Sequence, residues 1–154
     1  MTAQNTIIGI FLFKGECFMK GLKSDLSLFT LGGCAYGAIE LLWRHRTHWT
    51  MLLTGGACFV ALFKLYKKHP NLPTLEKCVL GSGVITVIEL AVGCVVNLWL
   101  KMNVWDYSAV PLNFMGQICA LYSALWGILC IPINKICKAI LKAQKKAEIK
   151  GITP

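Results

Sequence analysis

Between Tyr107 and Asn134 the chain carries no formal charge. A run this long and this apolar suits a lipid environment, because an α-helix needs about 20 apolar residues to cross about 30 Å of hydrocarbon. Three further segments have the same character. The four spans are read as Leu26–Trp43, Trp49–Tyr66, Val79–Leu100 and Leu112–Ile133, the first two being short and leaning on flanking Trp and Tyr as interface anchors. Four spans with short loops use nearly all of the 154 residues. The expected fold is therefore an all-α membrane protein with four transmembrane helices over 25–134 and a basic cytoplasmic tail over 135–154. The expectation for 1–24 is an interfacial or disordered segment. Within it Thr6–Phe13 is apolar but too short to span, and no cleavage site follows as in a signal peptide. Met19 is an alternative to Met1 as the true start.

A composition of 56% hydrophobic and 15% charged residues, with a mean hydropathy of +0.60, excludes an ordinary soluble enzyme. Eight cysteines without a CxxC spacing suggest neither a disulfide framework nor a zinc or redox site, so no metal and no cofactor is expected. The net charge of +9 first suggests nucleic acid or an anionic surface. Its distribution favours topology. Lys14, Lys20 and Lys23, then Lys64, Lys67, Lys68 and Lys77, then Lys135, Lys138, Lys142, Lys145, Lys146 and Lys150 fall on one side, against Arg44, Arg46 and Lys101 on the other. The positive-inside rule puts both termini in the cytoplasm of a plasma-membrane protein, with no role for nucleic acid. Lys138, Lys142, Lys145 and Lys146 share one helical face, which reads as a basic helix on anionic headgroups or, alternatively, as a frayed solvated tail.

Two acids sit where acids are costly. Glu89 is ten residues from Val79 and eleven from Leu100, a depth that costs about 2.5–3.5 kcal/mol unless the acid is protonated, paired or hydrated. Glu40 is three residues before Trp43. At about 100° per residue it shares a face with Gly33 and Gly37, a GxxxG pair of the kind that lets helices approach closely. Ser82, Thr86, Glu89 and Gly93, with Asn97 beside them, form one polar stripe, and Asn113, Gln117, Ala120 and Ala124 form another. Both stripes are expected to face the bundle interior. Glu89, Glu40, Thr86, Asn97, Asn113 and Gln117 are thus candidates for a substrate or ion pathway. Two readings stay open for Glu89: a proton acceptor or cation ligand, or a neutral acid hydrogen-bonded to amides that fixes helix register. Glu40 has the simpler alternative of pairing with Arg44 at i+4.

The loops opposite the lysines carry the rest of the polar chemistry. One contains Arg44, His45, Arg46, Thr47, His48 and Trp49; the other contains Trp105, Asp106, Tyr107 and Ser108. Arg44, Arg46 and Asp106 are natural partners, and with the histidines they could hold an anion; packing of two short loops accounts for the same residues. An outer-face enzyme using Glu40, His48 and Asp106 has no supporting nucleophile–base spacing, so the chain is read as a non-enzyme. A weak two-helix internal repeat aligns Ala38-Ile39-Glu40-Leu41 with Val87-Ile88-Glu89-Leu90, and Gly55-Gly56-Ala57-Cys58 with Gly116-Gln117-Ile118-Cys119.

The runs YGAIELLWRHRTHWTMLLTGGACF (36–59) and ITVIELAVGCVVNLWLKMNVWDYSAVPLNFMGQIC (85–119) resemble a family of small bacterial membrane proteins. That family is labelled type IV ABC-transporter permeases, or bicarbonate-permease-like proteins. The resemblance covers roughly 28–133, leaving residues 1–20 and the lysine tail outside, and its most specific parts are IE…WR..THW and VWDYS.P.N..GQIC. It departs at His45, where a small residue such as glycine is usual. The resemblance implies a permease subunit. The chain has no GxxxxGK[ST] loop, so ATP hydrolysis would need a separate ATPase. Four spans are too few to enclose a wide path, which implies a homo-oligomer or a partner membrane subunit. Two function classes remain: a permease or channel-like component with an intramembrane glutamate site, and a non-transporting accessory or assembly protein whose buried Glu is structural.

Overall fold

The computed structural model describes residues 24–149 apart from residue 148, so the expectation for 1–24, in all but its last residue, and the choice of start lie outside the described residues. Four helices dominate: α1 (Ala3–Arg44), α2 (Trp49–Lys68), α3 (Thr74–Gly93) and α4 (Ala120–Ile149). A π-helical turn, Cys94–Trp99, extends α3, and a two-stranded antiparallel hairpin, β1 (Asn113–Phe114) with β2 (Ile118–Cys119), precedes α4. Among the described residues, four stretches are long and apolar enough to span a membrane: Ser24–Arg44, Trp49–Lys68, Thr74–Trp99 and Ala120–Ala147. The chain is a multi-pass all-α membrane protein.

The breaks between helices are set by local chemistry. α1 stops where His45 takes φ 55° and donates its N–H to the Leu41 carbonyl, a left-handed helix terminus. His48 then caps α2, its Nδ1 accepting from the Thr50 amide. α2 ends at Lys68, ahead of Pro70, and the intervening His69 is held out of the helical region (ψ 68°). The fourth helix begins at Ala120, eight residues later than its apolar run suggested. Leu112, Met115 and Gly116 all have positive φ, and Met115-Gly116 forms the hairpin turn closed by Gln117 N–H to Phe114 C=O. Asn113 and Gln117 therefore lie on a hairpin and not on a helical stripe. α4 then runs unbroken through 134/135 to Ile149, so the described tail continues the fourth span, with Lys135, Lys138, Lys142, Lys145 and Lys146 exposed.

α1 packs along α2 and α3 along α4; α2 joins the two pairs chiefly through α3. Two diglycines bring α1 and α2 together. A Cβ on Gly33 would lie 2.6 Å from the Leu52 carbonyl oxygen, and one on Gly56 would lie 2.7 Å from that of Phe29, while Gly32 faces Phe59 and Gly55 faces Tyr36. Gly37 is looser, meeting only the Leu52 side chain at 3.5 Å. Gly32 and Gly55 thus carry more of the close approach than the Gly33/Gly37 pair alone implies. The repeat also ends here: Gly55 is a helical contact glycine, whereas Gly116 is a turn glycine at φ 67°. The buried core comprises Leu28, Phe59, Leu62, Phe63, Tyr66 and Ile85 with Cys58, Cys78, Cys130 and Cys137. These cysteines are free thiols acting as small apolar fillers. Lys77, counted above with the basic flank, is only 2% exposed; its Nζ donates to the Pro70 carbonyl and lies 5.9 Å from the Tyr66 ring centroid.

Gly56→Ala is expected to destabilise the protein by about 1–3 kcal/mol through overpacking against Phe29. Gly83→Ala, with nothing within 4 Å of its Cβ, is expected to be neutral or slightly stabilising. Thermal unfolding of both variants in one detergent checks the contrast.

Candidate functional site

Glu89 sits in α3, 3% exposed, and each carboxylate oxygen accepts one hydrogen bond. The Tyr107 hydroxyl donates to Oε1 at 3.0 Å and the Trp126 indole N–H to Oε2 at 2.9 Å. The donors come from the α3–α4 loop and from α4, so one side chain ties three parts of the chain together. Both are neutral, and neither is an amide. Among the described residues no Lys, Arg or His makes a salt bridge to Glu89; the ion pairs found are Arg44–Glu40 and Lys64–Asp25.

Glu89 opens onto a cavity of about 280 Å³ walled by Gly32, Tyr36, Gly55, Cys58 and Trp126 among others. A second hollow, about 540 Å³, adjoins it between α1 and α4 and reaches Glu40, Trp43, Trp105 and Tyr107. Tyr36, Ile39, Trp126, Leu129 and Pro132 line both. Among the described residues α1 and α4 make no extended seam, which leaves the cleft between them; Ser24 and Gln144 meet at the lysine-rich end. Pro132, inside α4, cannot donate to the Ile128 carbonyl, so the cleft wall contains an interrupted helix ladder.

The other acids are placed differently. Glu40, 5% exposed, accepts from Arg44 Nη1 (3.0 Å) and from the Thr47 hydroxyl (2.8 Å), while Arg44 Nη2 donates to the Val104 carbonyl (3.0 Å). This cluster clamps the two loops at the tryptophan-bearing end. Asp106 does not meet Arg44 or Arg46. Its Oδ1 accepts from both the amide (2.8 Å) and the hydroxyl (2.6 Å) of Ser108, a local turn that holds its carboxyl below the usual aspartate range. The turn fixes Tyr107, whose own N–H donates to the Gly116 carbonyl at 2.8 Å, so that its hydroxyl points at Glu89.

The amides form a second unit. The π turn brings Asn97 inward, where its Nδ2 donates to the Trp105 carbonyl (3.0 Å) and to Gln117 Oε1 (2.9 Å), and its Oδ1 accepts from Val104 N–H (2.8 Å). The Trp105 indole donates to the Gln117 carbonyl at 2.9 Å. Trp105 is thus buried at 3% exposure, unlike Trp43, Trp49 and Trp99, which are exposed as an interfacial belt requires. Asn97 and Gln117 are committed to holding the loop. Asn113 is exposed and closes the hairpin, accepting from Gly116 N–H and donating to the Ser108 and Val110 carbonyls. Thr86 bonds Ser123 across the α3–α4 seam and does not line the Glu89 cavity.

Spacing alone does not single out Tyr36, Tyr122 or Trp126. A signal for Trp126 does exist: an indole N–H in mid-span needs an acceptor, and Glu89 is the acid at a comparable depth in a neighbouring span. His45 holds a left-handed φ of 55°, a conformation that glycine takes without strain. His45→Gly is expected to raise stability by about 1 kcal/mol, read from unfolding in detergent. Asn97→Ala, which leaves three buried partners unmatched, should cost about 2 kcal/mol and make the Trp105 loop more accessible to an aqueous fluorescence quencher.

No curated protein and no solved structure matches the chain. A family match covers residues 32–152 and so takes in much of the lysine-rich end that the 28–133 resemblance left outside. With most of its length matched, the chain belongs to the family described as "Putative ABC-transporter type IV".

Proposed function

We propose that this chain is the membrane-embedded component of a transporter and that the species it passes binds at Glu89. The observation that carries this reading is a carboxylate in mid-span, facing a cavity, with hydrogen-bond donors but no basic partner among the described residues. A buried charge that serves only packing is normally paired. An acid that must exchange a proton or hold a cation needs one side left free. The hollow between α1 and α4 reaches the tryptophan-bearing end and shares walls with the Glu89 cavity, which supports a route to that carboxylate.

The distribution of lysines supports a plasma-membrane orientation with both termini in the cytoplasm. The exposed lysines of α4 would then rest on anionic headgroups. The family supports a separate ATPase or membrane subunit as partner, and a second copy of the chain is the alternative way to complete a path. The accessory reading keeps one observation in its favour. The two bonds to Glu89 tie α3, α4 and the loop together whether or not anything is transported.

Reconstitution into liposomes separates the two readings. Proton or sodium flux through the wild-type protein should fall by about tenfold or more in Glu89→Gln, with the variant still folded by circular dichroism. Equal flux in both proteins, or flux in neither, overturns the transport reading. Unfolding of Glu89→Gln would speak for the structural role.

A further inference from the structure

The walls around Glu89 say what kind of species fits beside it. The rings of Tyr36 and Trp126 lie 6.0 Å apart by centroid, those of Trp126 and Tyr122 6.2 Å, and those of Tyr122 and Tyr107 4.6 Å in a stack. Four electron-rich rings from α1, α4 and the loop therefore run in a chain, and two of them, Trp126 and Tyr107, also donate to the acid. Aromatic faces attract cations through their quadrupole, and more strongly when water is excluded. A bare inorganic cation is a poorer fit. Sodium or calcium needs several oxygen ligands to replace its water, and the cavity wall is mostly aliphatic, with the Glu89 carboxylate and the Tyr36 and Thr54 hydroxyls as its side-chain oxygens.

The combined hollow is also far larger than a proton site requires. A quaternary ammonium with an apolar body has less hydration to lose than a bare metal ion, and its body would fill the space lined by Ile39, Leu129 and Ile133. The approach carries the matching sign. Arg44, at the cleft, is already neutralised by Glu40, whereas Asp106 at the same mouth is exposed and faces no basic residue in a salt bridge.

We propose that the cavity binds an organic ammonium-type cation bearing an apolar group, its charged centre set against Glu89 and the faces of Tyr36 and Trp126. This rests on the reading of Glu89 as the site of the passed species. The two can fail separately, because flux of protons or sodium needs no organic ligand.

The test uses a pair of probes that differ only in charge: benzyltrimethylammonium and its neutral carbon isostere, neopentylbenzene. Binding of each to the purified full-length protein in detergent is measured by calorimetry, corrected for uptake by protein-free micelles. The wild-type protein is expected to favour the cation by about tenfold or more. Glu89→Gln should lower that preference several-fold, the ring faces supplying what is left. Tyr36→Leu should weaken the cation by about 2- to 30-fold, and Tyr36→Phe, which keeps the ring face, should retain it. The comparison of the two probes on the wild-type chain needs no variant to fold. Equal binding of the two probes, or a cation preference undiminished in Glu89→Gln, overturns the assignment. If Glu89-dependent proton or sodium flux persists alongside such a result, the organic-cation assignment falls and the transport site stands; if that flux is also missing, both fall.

Discussion

Lipid offers no hydrogen bonds, so each polar group placed in a span must be satisfied by the protein itself. Much of what is distinctive in this chain follows from meeting that constraint at Glu89. Its two oxygens recruit a phenol from a loop and an indole from α4. The loop can present that phenol only because Asp106 and Ser108 close a turn beside it and Gly116 leaves room; a Cβ there would lie 2.8 Å from Asp106 Oδ1. Trp105 and Gln117 then anchor the same loop to the π turn through Asn97. The WDYS stretch is in this sense a bracket for a buried acid.

The two helix pairs are held by different means. Between α1 and α2 the contact is backbone against backbone through glycines, as van der Waals association in lipid favours. Between α3 and α4 it includes side-chain hydrogen bonds, from Ser82 and Thr86 to Ser123 and from Trp126 to Glu89. The missing seam is the one between α1 and α4, and it is there that the aromatic rings and the cavities collect. The tight seams thus supply a rigid frame, and the absent one supplies the room.

The number of spans, their order and the inward direction of Glu89 were legible because period, length and charge report directly on a lipid environment. The Glu40–Arg44 pair followed from i+4 spacing. What escaped was non-local or conformational. The apolar stretch from Leu112 reads as helix by composition, yet positive φ at Leu112, Met115 and Gly116 makes it a hairpin, and hydropathy does not encode φ. Asp106 was matched to arginines by charge, but a serine two residues away reaches it first. Lys77 looked like a headgroup lysine because its neighbours are; only the fold shows the Pro70 carbonyl curling over it. The partners of Glu89 lie 18 and 37 residues away, a separation at which a single sequence says little about contact.

The π turn has a further consequence. A π segment accommodates extra chain within a helix by shifting the bonding from i+4 to i+5. In the third span, residues before Cys94 therefore keep one angular register and residues after it keep another. Glu89 belongs to the first and Asn97 to the second. The acid and the amide thus hold separate angular registers on a single continuous helix, and they meet again through the loop: Asn97 secures Val104 and Trp105, and Tyr107 beside them reaches back to Glu89. A span built this way aims two polar groups at one loop from two different registers.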